Sequence, residues 1–549
     1  MISQDGLEKL ARIKEQMKHE RKAREKVFSE VGKYIYPDLQ DWNEESPNQH
    51  GKSSDTGRDR YDTTAQDSSI TSAKGLIAYS SSRRENWFSI EAQAKDIPMG
   101  SRAKDYFQLA ERQMYRQLAR SNFYDEEFNF VRSRQDLGIA VMFRLMNTAE
   151  GIPSYRVLHP KRYYIAEDRF RDVTVLFRDF YLTAQDAVAW FGEDKLPDII
   201  KTAYKNSSVE PYLFTEYIFP VGFYDIDMEL SNKQYTSIYV ADADIKKTVG
   251  FGGYETKPFT ASRYSMAIDG NVWGGDCPGI LQLANAKMLS SMMRDRIKLS
   301  QRIGDPPVKA TEGLYGRIKR GPGQTTYLEA GQDYVTETIT GNLSALDQSI
   351  IEIRSMIKSA YQADLYLTLT QNIDRIKTAT EAAGIQGEQA ALIAVDAGRL
   401  AYEHLEPVLE DLFNLEITSM RLPPPPEELG GVPIKIDLVG PLYQMQKRFM
   451  TMNKIQAFLQ DIGPALQLSL NQSPVTDRFD WDGYLDVAAE THQVDKRILR
   501  SIVEAERIRK ARAEAQAMIA NQQMEMNKAK MQSDNAKALQ SVAGAQNAG

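Results

Sequence analysis

Apolar residues recur at alternating spacings of three and four along 343–363, as Leu343, Leu346, Ile350, Ile353, Ile357 and Ala360. That period predicts a helix with one seam, which a single neighbouring helix can cover. The stretch 279–303 carries two stripes instead, Leu281, Ala284, Met288, Met292 and Leu283, Ala286, Leu289, Met293, Ile297. A helix patterned in this way wants partners on two sides, an arrangement that suits a ring of identical copies. On this reading Met288, Met292, Ile350, Ile353 and Ile357 are candidate subunit contacts. Further helical patterns cover 5–36, 63–82, 102–120, 122–138 and a long run at 379–420. Between 86 and 265 the runs "GIAVMFRLM", "YRVLHP", "VTVLFRDFYLT" and "YTSIYVAD" are rich in β-branched and aromatic residues and predict strands. The expected fold class is therefore α+β and helix-rich.

Breaks in these patterns divide the chain. A Ser- and Asp-rich link occupies 44–60, "RLPPPPEELGGVP" is a stiff linker, and beyond 510 the tail is rich in Ala, Gln and Met. The two patterned helices flank a Gly-rich, β-like insert at 304–342, giving the order helix, small module, helix. Ahead of the first helix, "DGNVWGGDCPG" concentrates glycines as a phosphate-cradling loop would. A P-loop needs Lys followed by Ser or Thr after its last glycine, and this stretch offers Asp276 and Cys277 instead. These glycines are expected to bend the chain rather than to hold a phosphate.

Charge and rare residues narrow the chemistry. The formal net charge of −7 over 549 residues gives no overall basic signature, so any contact with nucleic acid must come from local cations or from symmetry repeating a few of them. A lone Cys277 excludes an intrachain disulfide, and no segment has the length of apolar sequence a membrane helix needs. The five histidines, at 19, 50, 159, 404 and 492, form no HExxH or Cys/His cluster and read as surface or capping residues. His404 beside Glu403 and Glu406 is expected on a solvated face. No nucleophile, acid–base pair or metal constellation stands out, so the chain is expected to be no enzyme and to need no cofactor.

The order of features resembles the portal, or head-to-tail connector, proteins of short-tailed bacteriophages, over about 15–510. The likeness rests on "YDTTAQDSSITSAKGLIAYSSSRRENWFSI" with its Arg84, Trp87 and Phe88, on "SNFYDEEFNFVRSRQDLGIAVMF", and on "KPFTASRYSMAIDGNVWGGDCPGILQLANAKML" with Pro258, Arg263, Trp273 and Gly274. "RIKTATEAAG" and "IDLVGPLYQMQK" are similar to two further family segments, while "EDRFRDV" departs where many relatives carry a turn glycine.

The resemblance implies a portal fold. N-terminal helices and an α+β wing would occupy 1–265, the wing-to-stem turn and first stem helix 266–303, the clip 304–342 and the second stem helix 343–364. A tunnel loop at 365–377 would follow, then a long helix with a return to the wing at 378–441, a helical crown at 442–510 and the tail at 511–549. It also implies a homo-oligomer, a dodecamer in the family, set in the virion at the capsid vertex and assembled in the host cytoplasm without a membrane. Through it double-stranded DNA passes without sequence readout, with terminase, major capsid and scaffolding proteins and tail adaptor proteins as partners. Asp374, Arg375 and Lys377 become candidates to face the channel, and Arg317, Lys319 and Arg320 candidates in the clip. Another virion ring or internal ejection protein, of tail adaptor type, is the alternative.

Overall fold

The computed structural model describes residues 4–39, 60–92, 101–147, 151–223, 233–242, 246–314, 318–319, 323–336, 343–366, 393, 395–429, 434–441, 443, 483 and 502–546. The chain divides into two compact units, Met1–Gln446 and Lys447–Gly549.

The first unit is built of mixed helix and sheet, as the periodicities predict. Its largest sheet is antiparallel, in the order β4 (Tyr163–Glu167), β5 (Val173–Thr183), β6 (Pro211–Pro220), β7 (Tyr235–Asp242) and β8 (Lys246–Tyr254). Both faces of this sheet are covered, so its strands read as near-continuous apolar and aromatic runs rather than strict alternations. The N-terminal half of α1 (Gln4–Tyr34) lays Leu10 and Met17 against Tyr164, Val175, Phe177, Tyr217 and Ile238. Two short helices, α5 (Ala184–Phe191) and α6 (Asp198–Lys205), close a separate cluster around Phe214, Ala241 and Val249.

The hairpin joining β4 to β5 resolves the departure in "EDRFRDV". Arg171 itself takes the left-handed turn position, at φ 69. An L-residue there costs roughly 1 kcal/mol relative to glycine. Its side chain answers part of that cost, since Nη2 donates to the Ala267 carbonyl at 2.9 Å.

A second sheet has the order β3 (Ile152–Val157), β2 (Ile139–Asn147), β9 (Phe259–Arg263). β1 (Phe88–Ala92) pairs antiparallel with β12 (Ile434–Leu438), strands more than 340 residues apart in the chain. Around this pair, α2 (Thr64–Ser80), α3 (Ser101–Arg120), α4 (Phe123–Leu137) and α9 (Glu406–Thr418) enclose the largest apolar core, with Trp87 fully buried and stacked on Phe123. Trp87 and Phe88 of the sequence motif are thus core, with Phe88 stacked on Tyr115 at 4.1 Å between ring centres.

The predicted helix, module, helix order is present as α7 (Pro278–Gly304), an insert containing the short antiparallel pair β10 (Val308–Ala310) and β11 (Tyr334–Thr336), and α8 (Leu343–Ala360). The expected long helix at 379–420 is described only from 395, where it runs through a π-turn, Ala401–Leu405, into α9. In the second unit, α10 spans Ile502–Gln546 without a break at 510, so the boundary expected there does not interrupt the helix. The crown expected at 442–510 lies largely outside the described residues, as does the link at 44–60.

Candidate functional site

The α7–α8 hairpin is seated by the glycine-rich turn that precedes it. Gly274 has φ +82, and a Cβ there would stand 2.9 Å from the Gly138 carbonyl oxygen and 3.2 Å from that of Ser265. Arg24 on α1 donates to the Gly274 carbonyl at 2.8 Å. The turn is packed against the chain's own backbone on these sides, and it bends the chain into α7. Helix α7 then starts at Pro278, whose missing N–H suits the first helical position. At Gly279 the helix crosses the end of α4 so closely that a Cβ would lie 2.2 Å from the Asp136 carbonyl oxygen. Cys277, in the same junction, is buried, and burial pushes its thiol up to about 12. It is an inert packing residue.

Asp136 ties this junction together. Its carboxylate accepts from Ser69 Oγ of α2 at 2.7 Å and from Tyr361 Oη, just past α8, at 2.8 Å. Arg132 lies one turn earlier, 3.7 Å away, and is held by Asp38 at 3.0 Å and over the Tyr36 ring at 3.9 Å. Burial raises the Asp136 pKa from 3.8 to about 6, outweighing the lowering by Arg132 and the two hydroxyls. A carboxyl whose folded-state pKa is raised favours folding fully below its unfolded value. That contribution is lost as pH rises through about 6, an effect on the order of 3 kcal/mol at about 1.4 kcal/mol per pH unit. Asp136→Asn is therefore expected to melt above the wild type at pH 8, with the gap narrowing as pH falls below about 6. Thermal melts across that range check it, and a gap that widens towards low pH would overturn the assignment.

The two stripes of α7 have different fates. Leu283, Ala286 and Leu289 are buried in the core shared with α8, α1 and β2. Leu281 (58 % exposed), Ala284 and Met288 (46 % exposed) face outward. Met292, at the stripe's end, is half-buried against the protomer's own core. Ile350, Ile353 and Ile357 are buried within the protomer at 3 %, 7 % and 0 % exposure, so the seam of α8 is covered by the chain's own helices and is not left for a neighbour. This corrects the expectation that these three isoleucines make subunit contacts. A lone helical pattern cannot tell an intrachain partner from an intermolecular one.

The charges of α7 sort in the same way. Lys287 is 2.6 Å from Glu30 of α1, Arg296 pairs with Asp347 of α8, and Arg354 of α8 reaches Asp62 at 2.6 Å. Lys298 and Arg302 remain exposed, with no carboxylate partner among the described residues. Lys319 is exposed in the insert, its N–H donating to Thr326 Oγ1 at 2.9 Å. Arg317 and Arg320, and also Asp374, Arg375 and Lys377, lie outside the described residues.

A second buried network was not anticipated. His404 and Glu403, expected on a solvated face, are both in the interior. His404 Nε2 is 2.6 Å from Glu127, its Nδ1 is 2.7 Å from Thr260 Oγ1, and its ring stacks on Phe130 at 3.7 Å. Glu403 accepts from the Arg263 N–H at 2.7 Å and from its Nη2 at 3.2 Å. Arg263 also reaches Glu167 at 2.8 Å and the Arg171 carbonyl at 2.6 Å, so one 2 % exposed guanidinium joins the β4–β5 hairpin, β9 and the π-turn. His404 stands four residues after Leu400 and four before Val408, both buried, so it lies on the inner face of this helix. His159 does behave as a capping residue, accepting from the Lys161 N–H at 3.1 Å.

Among the described residues no group of three His, Cys, Asp or Glu side chains could hold a metal ion, and no helix is long and apolar enough to cross a membrane. The arrangement provides a seated helical hairpin with an outward apolar stripe.

Comparison with known proteins gives this architecture its class. A family model for bacteriophage head to tail connecting protein matches residues 7–499, and the chain belongs to that family. Among curated relatives it is 26 % identical over 466 residues to the "Portal protein" of Salmonella phage epsilon15, covering 82 % of each chain. It is 25 % identical over 452 residues to the "Probable portal protein" of Bordetella phage BPP-1, covering 81 % of this chain and 80 % of that one. A solved chain from the virion of a native gene transfer agent particle aligns at TM-score 0.33 and 9 % identity, covering 74 % of this chain and 88 % of its own, too distant to bear on the fold.

Proposed function

We propose that this head-to-tail connecting protein is a portal, a ring at the capsid vertex that forms the passage for double-stranded DNA during packaging and ejection and the attachment point for the tail. The single observation that carries the reading is the outward stripe Leu281, Ala284 and Met288, on a helix whose opposite face the protomer has already filled. A 27-residue helix is ~40 Å long at 1.5 Å per residue, enough to line a channel wall. In this reading α7 and α8 are the stem and the insert between them is the clip. The 365–377 segment is the tunnel loop bearing Asp374, Arg375 and Lys377, 442–510 is the crown, and the copies form a dodecamer. Terminase, capsid and scaffolding proteins and tail adaptors are its partners, and assembly takes place in the host cytoplasm. The net charge of −7 suits a conduit, since DNA carries one charge per ~1.7 Å of its axis and a uniformly basic wall would hold it.

Leu281→Asp together with Met288→Asp should abolish ring formation while each protomer stays folded, because both side chains are exposed in the single chain and only assembly would bury the new charges. Native mass measurement reads the outcome. Rings of unchanged mass would remove the stripe from the subunit interface and the reading's main support with it.

A further inference from the structure

We propose that a basic face formed by α3 and the turn between α2 and β1 docks the phosphate backbone of double-stranded DNA, at a surface separate from the α7–α8 hairpin. The inner face of α3 is fully committed to the core through Ala103, Tyr106, Phe107, Ala110, Met114 and Leu118. Its outer stripe is Arg102, Asp105, Leu109, Arg112, Arg116 and Arg120, all exposed. Arg112, Arg116 and Arg120 stand at i, i+4 and i+8, where like charges on one helix face repel one another. The helix dipole favours a cation only in the last turn, which accounts for Arg120 alone.

Two more arginines join them from outside the helix. Arg83 Nη2 donates to the Ala119 carbonyl at 3.2 Å, which fixes the α2–β1 turn at the C-terminal end of α3. Arg84, next to it, is exposed and its guanidinium has no carboxylate partner among the described residues. The same is true of Arg112, Arg116 and Arg120. Elsewhere this chain pairs its arginines closely, as at Arg144–Asp411, Arg178–Glu216, Arg263–Glu403 and Arg421–Glu416. The only carboxylate in the turn is Glu85, and Glu111 on α3 is turned inward to accept the Ile90 N–H at 2.7 Å. A cationic face without carboxylate partners among the described residues, in a chain of net charge −7, calls for an anionic partner.

The form of the surface favours a duplex over an acidic peptide. Leu109 is the one large apolar residue exposed on α3, so the helix offers a peptide no apolar anchor. The stripe from Arg112 to Arg120 runs ~12 Å along the helix. Arginine forks match phosphate oxygens in pairs, and repeated cations at fixed spacing fit a regular line of phosphates. The choice of DNA rests on the reading of the chain as a DNA conduit, although the surface lies on different elements.

The test uses full-length protein in its native assembly and two duplexes of unrelated sequence, with binding followed by fluorescence anisotropy from about 50 to about 200 mM salt. Arg112→Gln, Arg116→Gln and Arg120→Gln combined should leave ring mass and melting unchanged. The salt slope of log K should become shallower by roughly 2.7, for three contacts at about 0.9 each, with the affinity falling at least tenfold and equally on both sequences. Lysine at the same three positions should restore most of the slope. An unchanged slope overturns the proposal. So does a triple variant that keeps its DNA affinity but loses binding to polyglutamate, which would assign the face to an acidic protein. Lys298→Gln with Arg302→Gln on the hairpin separates the two readings. If that variant weakens binding and the α3 variant does not, the conduit stands and the α3 surface falls.

Discussion

Replacing Arg263 by methionine is expected to be the most damaging single change in the first unit. The guanidinium is 2 % exposed and satisfies Glu167, Glu403 and the Arg171 carbonyl at once. Methionine fills similar volume but leaves Glu167 and Glu403 only their longer pairs, with Arg171 at 3.5 Å and Arg399 at 4.0 Å. Breaking a buried pair in this way costs about 3–5 kcal/mol, far more than the pair's net contribution when intact. The melting transition of the unit, Met1–Gln446, should drop by about 3–5 °C at ~2.1 cal/mol/K of unfolding entropy per residue, with loss of soluble protein near physiological temperature. Arg263→Lys should recover only part of this, because one ammonium cannot span acceptors that a planar fork reaches from two sides. A melting point for Arg263→Met within about 2 °C of wild type would mean that the network holds nothing together.

The second large effect is expected at Gly279. An added Cβ would lie 2.2 Å from the Asp136 carbonyl oxygen and 2.5 Å from its Cα. Those obstacles are backbone, so no rotamer change relieves them, and α7 must move off α4. Overpacking of this kind costs typically about 1–3 kcal/mol, and the shift also separates Asp136 from the Tyr361 that anchors α8. Gly279→Ala should therefore lower the melting point and disturb hairpin seating. Ring yield should then fall on native mass measurement even where the protomer folds. Gly398→Ala is the control, since nothing stands within 4 Å of its Cβ and the helix there should gain up to about 1 kcal/mol. If both variants behave alike, the close crossing at Gly279 is not what seats the hairpin.

Both residues lay inside stretches that the sequence marks, and neither role was visible there. Arg263 stood in a motif and Gly279 followed a glycine-rich turn. Only the contacts show that one is an electrostatic hub and the other a site of helix crossing. The partners explain why. Asp136 meets Tyr361 across 225 residues and Arg263 meets Glu403 across 140, and no local pattern encodes pairings at that range.

Local order, by contrast, was legible. The strands read as "VTVLFRDFYLT" and "YTSIYVAD" coincide with β5 and β7, and the helices expected at 279–303 and 343–363 appear as Pro278–Gly304 and Leu343–Ala360. Hydrophobic period and β-branched content act within a few residues, so one window of sequence suffices to place an element. The sequence by itself also determined the dual patterning of α7, the exclusion of a P-loop at "GGDCPG" and the head-to-tail connector family.

Tertiary structure alone decided which stripe of α7 is spent inside the protomer and which is left outside. It moved Ile350, Ile353 and Ile357 from the subunit boundary into the core, and it set His404 and Glu403, expected on a solvated face, against Glu127, Thr260 and Arg263. It separated the arginines that have carboxylate partners from those on α3 that have none among the described residues. The physical reason is common to all of these: burial and charge pairing are sums over neighbours brought from distant parts of the chain, whereas periodicity fixes only the face on which a side chain stands.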